Sequence, residues 1–309
     1  MEFIKLKATL KEEIAPVYVL FGSDNFLINK SIELVTNALG TLDITKFDEK
    51  ASMSEIMSVT QTISMFGDKR LVIMRGAEDK HLKELKKYLE DPSPDCVLIL
   101  VLSSEKAPVA KNVQPVDCNP IKGDILLKLI AKQFGDNGKK ITPSAASLIA
   151  KYCADNYAKI DNEIGKLVNF FSAIDIIDVI HVEEIVSKDE EFQTYELGSA
   201  ICTRNLEKAQ GILARLKSGG VDDYAIFGNL VSMLKRLYYS LATNCPNEKV
   251  ASALKANPYA IMYARRDNKR LAPRLSEIYK YALNLEYKIK SGQLSIPSAI
   301  DLIMMEVGS

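Results

Sequence analysis

Four short apolar runs punctuate the first 120 residues: Val17–Phe21, Ile44–Phe47, Leu71–Met74 and Cys96–Leu102, parted by stretches whose apolar positions recur at helical spacing. A strand covered on both faces needs no polar alternation, so the unbroken run Cys96-Val97-Leu98-Ile99-Leu100-Val101-Leu102 reads as a central strand of a parallel sheet. Together the runs predict a doubly wound α/β domain over residues 1–120. Ser52 and Glu55 make a capping box ahead of one crossover helix, whose Met53, Ile56, Met57 and Thr60 share a face, and Gly67 suits its stop.

Beyond Ile121 the strand signal fades. Ile125, Leu126, Leu129 and Ile130 form one helical stripe, Ala145, Leu148, Ile149 and Tyr152 a second, and Ile160, Ile164, Leu167 and Val168 a third. Thr142 and Pro143 have the order of an N-cap and a first helical residue. Residues 121–188 are therefore expected to form a small helical lid ending in a His181–Ser187 helix, followed by a charged hinge at Ser187-Lys188-Asp189-Glu190-Glu191. Residues 189–309 read as helical throughout, divided into hairpins at Gly219-Gly220, Cys245-Pro246-Asn247 and Ser291-Gly292.

Charge narrows the partners. Forty acidic and 40 basic residues cancel, so no overall field draws the chain to nucleic acid or membrane, and any DNA contact must be local. The five cysteines are widely spaced without a Cys-x-x-Cys, and His81 and His181 are the only histidines, so no metal site is expected and buried, reduced thiols are. With no signal-like order in Met1–Lys5 and no apolar stretch of membrane-spanning length, the expectation is a soluble, cytoplasmic protein that makes no membrane contact.

The first strand, its Gly22 and the helical pattern behind it follow the strand, turn, helix order of a phosphate-binding loop, but the chemistry differs. Counted from Gly22, Leu27 takes the second glycine's place, and Ile28 and Asn29 stand where Lys and Ser/Thr belong. Lys30-Ser31 comes two residues late, which on a helix turns those side chains about 200° away from the phosphates. After Leu102, Ser103-Ser104 replace the acidic residues that would hold magnesium, and Glu105 is displaced. No nucleotide or other cofactor is expected, and no catalytic residue is assigned.

The order of these parts resembles the delta subunit of bacterial DNA polymerase III. The likeness is carried by Tyr18–Ile28, by Ser64-Met65-Phe66-Gly67-Asp68-Lys69-Arg70-Leu71-Val72 and by Tyr88–Ile99, with support from Asn257-Pro258-Tyr259 and Lys288–Gly292. Glu286 departs from the Asp expected ahead of that last motif. The resemblance implies an AAA+-like α/β domain lacking a P-loop (1–120), a helical lid (121–188) and a helical collar for oligomerisation (189–309). It also implies a function: a clamp-loader subunit that opens the sliding clamp for loading onto primer-template DNA without hydrolysing ATP. Its partners would be the clamp and gamma/tau- and delta-prime-type subunits in a heteropentamer.

The clamp contact implied by the resemblance is an apolar pair at the tip of the helix before the third strand, here Met65 and Phe66. A thioether and an aromatic ring entering an apolar pocket would each contribute roughly 1.5–3 kcal/mol. The periodicity alone favours core residues closing the helix against the sheet; the resemblance reverses that order, and Met53, Ile56 and Met57 already supply a buried stripe.

Arg265, Arg266, Lys269 and Arg270, with Arg274 nearby, form the densest basic cluster and a candidate DNA contact, against which stands a solvated helix face with Asp267 and Glu277 close by. Tyr279, Tyr281 and Tyr287 share a helix with Leu283 and read as collar packing, and capping or exposure is expected of both histidines. Two rivals remain. An active ATPase would need a phosphate-binding lysine near Gly22; an adaptor outside replication would share the fold but ignore the clamp.

Overall fold

The computed structural model describes residues 1–62, 69–106, 112–203, 205–254, 261, 262, 265 and 272–308. Two compact units result, Met1–Ala150 with Asp155–Ile185, and Lys151–Ala154 with Val186–Ser309.

In the first unit, strands β1 (Val17–Phe21), β2 (Ile44–Phe47), β3 (Arg70–Ala77), β4 (Cys96–Leu102) and β5 (Gln114–Asp117) form a five-stranded sheet in the order β2-β3-β4-β1-β5, every pairing parallel. Helices α1 (Phe3–Glu12), α2 (Asn25–Leu39), α3 (Met53–Thr60), α4 (Asp79–Glu84) and α5 (Lys86–Glu90) accompany it. Alternate strand residues Val17, Val19, Val72, Met74, Leu98 and Leu100 share a buried cluster with Ile56, Leu82, Leu85 and Leu89. Their neighbours Tyr18, Leu20, Ile73 and Ile99 are buried as well. Both faces are thus covered, which is why these strands read as unbroken apolar runs.

The four expected strands are present, β3 being longer than its apolar run, while β5 was not anticipated because Gln114 and Pro115 interrupt the pattern. Its edge position is where a proline costs little. The capping box at Ser52 and Glu55 is formed, but α3 ends at Thr60, well ahead of Gly67, which lies outside the described residues. Hydroxyls at the end of the helix turn back on it: Thr60 Oγ1 donates to the Met57 carbonyl and Thr62 Oγ1 to that of Ser58.

Helices α6 (Gly123–Asp136), α7 (Pro143–Tyr152), α8 (Tyr157–Phe170) and α9 (Val179–Ile185) follow, joined by the expected N-cap at Thr142, whose Oγ1 accepts from Ala145 N. The all-helical expectation needs one correction: Lys140–Ile141 (β6) and Ile176–Ile177 (β7) pair as a parallel ribbon. Behind it the buried Lys139 ammonium donates to the carbonyls of Phe171, Ser172 and Ile174, gathering the chain that leaves α8. Tyr157 of α8 meets Phe3 and Phe26 edge-on at 6.2 and 5.8 Å, and Lys132 Nζ of α6 donates to the Ile4 carbonyl, so α6 and α8 pack on α1 and α2.

In the second unit α10 (Glu190–Cys202), α11 (Leu206–Ser218), α12 (Asp223–Ala242), α13 (Asn247–Leu254), α14 (Ala272–Lys290) and α15 (Ile296–Gly308) follow; all but α13 enclose a core around Ile212, Leu230, Leu234, Leu275, Ile278 and Ile303, while Val250 and Ala251 of α13 form a smaller cluster with Ile261. The chain breaks at the three anticipated turns, where Gly220 and Gly292 take φ of 81° and 73°. Tyr279 is buried and stacked on Tyr238 at 5.4 Å, and Tyr281 packs against the core, as expected; Tyr287 instead is 68% exposed. Among the described residues no helix is long and apolar enough to cross a membrane.

Candidate functional site

In a parallel sheet all strands end on one edge, and a nucleotide would sit at that carboxyl edge. There β1 delivers Gly22 at φ 133°, pressed so close to β5 that a Cβ would fall 2.2 Å from the Cys118 carbonyl carbon. The glycine therefore serves strand packing. Its amide donates to Ser104 O at 3.0 Å, and the Asp24 amide to Cys118 O at 3.1 Å.

The α2 N-terminus, where phosphates would rest, is met by the chain's own anion: Asp24 Oδ1 accepts from the amides of Phe26 (2.9 Å) and Leu27 (3.2 Å). Leu27 and Ile28 are buried core residues, Lys30 pairs outward with Glu33 at 3.1 Å, and Asn29 accepts from Arg75 Nη2 at 2.6 Å. Ser31 turns inward, donating to Leu27 O, with Cys118 Sγ 3.6 Å from its hydroxyl. Every polar group that could have begun a phosphate cradle at Gly22, Asp24, Phe26 and Leu27 thus has an internal partner.

The last turn of α3 and the start of β3 meet at the other edge. Met65 and Phe66 fall outside the described residues; the elements on either side are α3 and β3. Arg70, the first residue of β3, joins them. Its Nε and Nη2 both reach Asp43 Oδ2, at 3.0 and 2.9 Å, and its Nη1 donates to Val59 O in the last turn of α3 at 3.3 Å. Both charged side chains are mostly buried, at 13% and 16% exposure, in which setting such a pair holds geometry strongly. Since Arg70 opens β3 and Gly22 closes β1, the length of a strand, on the order of 20 Å, separates the clasp from the carboxyl edge.

The family model for the DNA polymerase III delta subunit matches residues 18–133, and that for the C-terminal domain of the same subunit matches residues 191–307. The chain belongs to the DNA polymerase III delta-subunit family. DNA polymerase III subunit delta of Bacillus subtilis is 22% identical over 341 aligned residues, covering 99% of this chain and 97% of the relative. The solved structure of the Bacillus subtilis DNA clamp loader delta protein superposes with a TM-score of 0.77 at 19% identity, covering 99% of each chain, and so shares the fold.

Of the basic cluster on this delta-family chain, Arg266, Lys269 and Arg270 lie outside the described residues. Arg265 holds the junction of α12 and α13: Nε donates to Ser240 O, Nη2 to Thr243 O and Nη1 to Asn247 Oδ1, each at 2.8 Å. Both histidines cap helices, His81 Nδ1 accepting from Glu78 N and His181 Nδ1 from Asp178 N. Cys96, Cys118 and Cys153 are buried as expected, but Cys245 is exposed, because it sits on the turn between α12 and α13. Among the described residues no group of three or more His, Cys, Asp or Glu could hold a metal ion.

Sequence reasoning missed the clasp, because Asp43 and Arg70 are 27 residues apart and the motif that contains Arg70 does not point to its partner. Asp24 could have been found: an Asp immediately before a helical pattern is a standard N-cap signal.

Proposed function

We propose that this chain is the clamp-opening subunit of a bacterial clamp loader, working in the cytoplasm with Met65 and Phe66 as its grip on the sliding clamp. Residues 1–120 carry the clamp contact, 121–188 form a lid and 189–309 a collar that joins gamma/tau- and delta-prime-type subunits in a heteropentamer, through which primer-template DNA passes. The observation that carries the division of labour is the Asp24 carboxylate seated on the amides of Phe26 and Leu27, which supports a subunit that acts without nucleotide. Hydrolysis then belongs to partner subunits and controls when the grip is available.

A binder opens a ring only if it prefers the open form, since equal affinity for both forms shifts nothing. Met65 and Phe66, buried in a clamp pocket, would give micromolar to millimolar binding once association entropy is subtracted, and surrounding contacts must supply the rest. In the basic cluster a DNA contact falls more to Arg266, Lys269 and Arg270, since Arg265 already makes three internal hydrogen bonds. The reading is tested with a fluorophore pair across one clamp interface. Adding this chain without ATP is expected to raise the open fraction; binding without any opening counts against the proposal.

A further inference from the structure

The charged segment at residues 187–191, which reads in the sequence as a hinge, is tied down inside the second unit by one lysine. Lys188 Nζ lies over two buried rings, 4.9 Å from the centre of Tyr152 and 5.6 Å from that of Phe192, and pairs with Glu196 at 3.1 Å. The two rings meet at 5.1 Å. The backbone is fastened at the same place: the Asp189 amide donates to the Tyr152 carbonyl at 2.8 Å, and Gln193 Nε2 donates to the Lys188 carbonyl at 2.9 Å. Lys188 therefore joins the last residue of α7 to the first two turns of α10.

A solvated run of charges needs none of these contacts. The chain on either side is held as well. Val186, just ahead, is buried, and just after α7 the backbone of Ala154 and Asp155 takes left-handed φ of 52° and 57°, a conformation costly for a residue with a Cβ and kept only where the surroundings impose it. Other cations touch the cluster: Lys151 Nζ lies 5.4 Å from the Phe192 ring, and Lys208 pairs with Glu196 at 3.6 Å. Lys188 engages both rings and the carboxylate at once. Its side chain is 32% exposed, so solvent screens the ion pair and the rings supply the larger share of the hold. We infer that Lys188 is a latch, whose ammonium between Tyr152, Phe192 and Glu196 straps the linker after α9 and the end of α7 onto the second unit, and whose neutralisation frees both segments. The inference is independent of the clamp-binding reading.

The test follows amide hydrogen–deuterium exchange by mass spectrometry in the full-length chain and its Lys188→Leu and Lys188→Arg variants. Leucine keeps an apolar contact with the rings and removes the charge, whereas arginine can lie over the rings and pair with Glu196. In Lys188→Leu, peptides covering 151–155 and 186–190 are expected to exchange about tenfold faster, with those of α12 unchanged, and Lys188→Arg is expected to exchange like the parent. Parent-like exchange in Lys188→Leu overturns the latch, as does Lys188→Arg exchanging as fast as Lys188→Leu. Acceleration that spreads through α12 also overturns it, because the lysine would then serve general packing, and so does exchange of 186–190 in the parent at the rate of an unstructured peptide, which would mark a free hinge.

Discussion

Asp24 Oδ1 lies 2.9 Å from the Phe26 amide nitrogen, so an internal carboxylate occupies the helix end that a nucleotide's phosphates would need. Removing it costs a cap and creates no lysine or magnesium ligand. Asp24→Ala is expected to lose about 1 kcal/mol of stability in chemical denaturation and to gain no nucleotide binding by calorimetry.

Arg70 joins three elements, so its loss leaves the Asp43 carboxylate mostly buried without its cation. Arg70→Ala is expected to cost about 3 kcal/mol in urea denaturation, the lower part of the range for broken buried pairs, because some solvent reaches this one. Arg70→Lys should recover only part of the loss, since an ammonium cannot span Asp43 and Val59 with the same fork.

Much of this arrangement could be read in advance, for identifiable reasons. The strands β1 and β4 and the Ser52–Glu55 box are local signals, and the departure from a phosphate-binding loop is visible in Leu27, Ile28 and Asn29. What escaped depends on distant partners. β5 is a strand only because β1 pairs with it, β6 and β7 are two residues each, and the Asp43–Arg70 clasp needs the sheet to bring its halves together. Tyr287 shares a helix with the buried Tyr279, but only the packing reveals that it faces outward.

Lys139 Nζ donates to three carbonyls, those of Phe171, Ser172 and Ile174. Lys139→Met would keep the aliphatic bulk and orphan those acceptors. A loss of roughly 2–3 kcal/mol in thermal melting is expected, with faster amide exchange around β6 and β7.

Burial pushes the Cys96 and Cys118 thiols up from the ordinary 9.0 to about 11, while Cys245 is exposed. A thiol whose folded pKa is raised favours the folded state fully below pH 9, and that contribution is lost as pH rises toward 11, because the unfolded chain gives up its protons first. Denaturation midpoints should therefore fall between pH 9 and 11, and less so in a Cys96→Ala/Cys118→Ala variant measured against its own neutral-pH value. At pH 8, peptide mapping after brief alkylation should find Cys245 labelled well before Cys96, Cys118 or Cys153.

The most direct test of the account is the affinity of the sliding clamp for the Met65→Ala/Phe66→Ala variant, measured by surface plasmon resonance without nucleotide and with circular dichroism on the same sample. A native spectrum with binding weakened at least a hundredfold is the expected result. A natively folded variant that holds the clamp as tightly as the parent would contradict the claim that these two side chains form the grip.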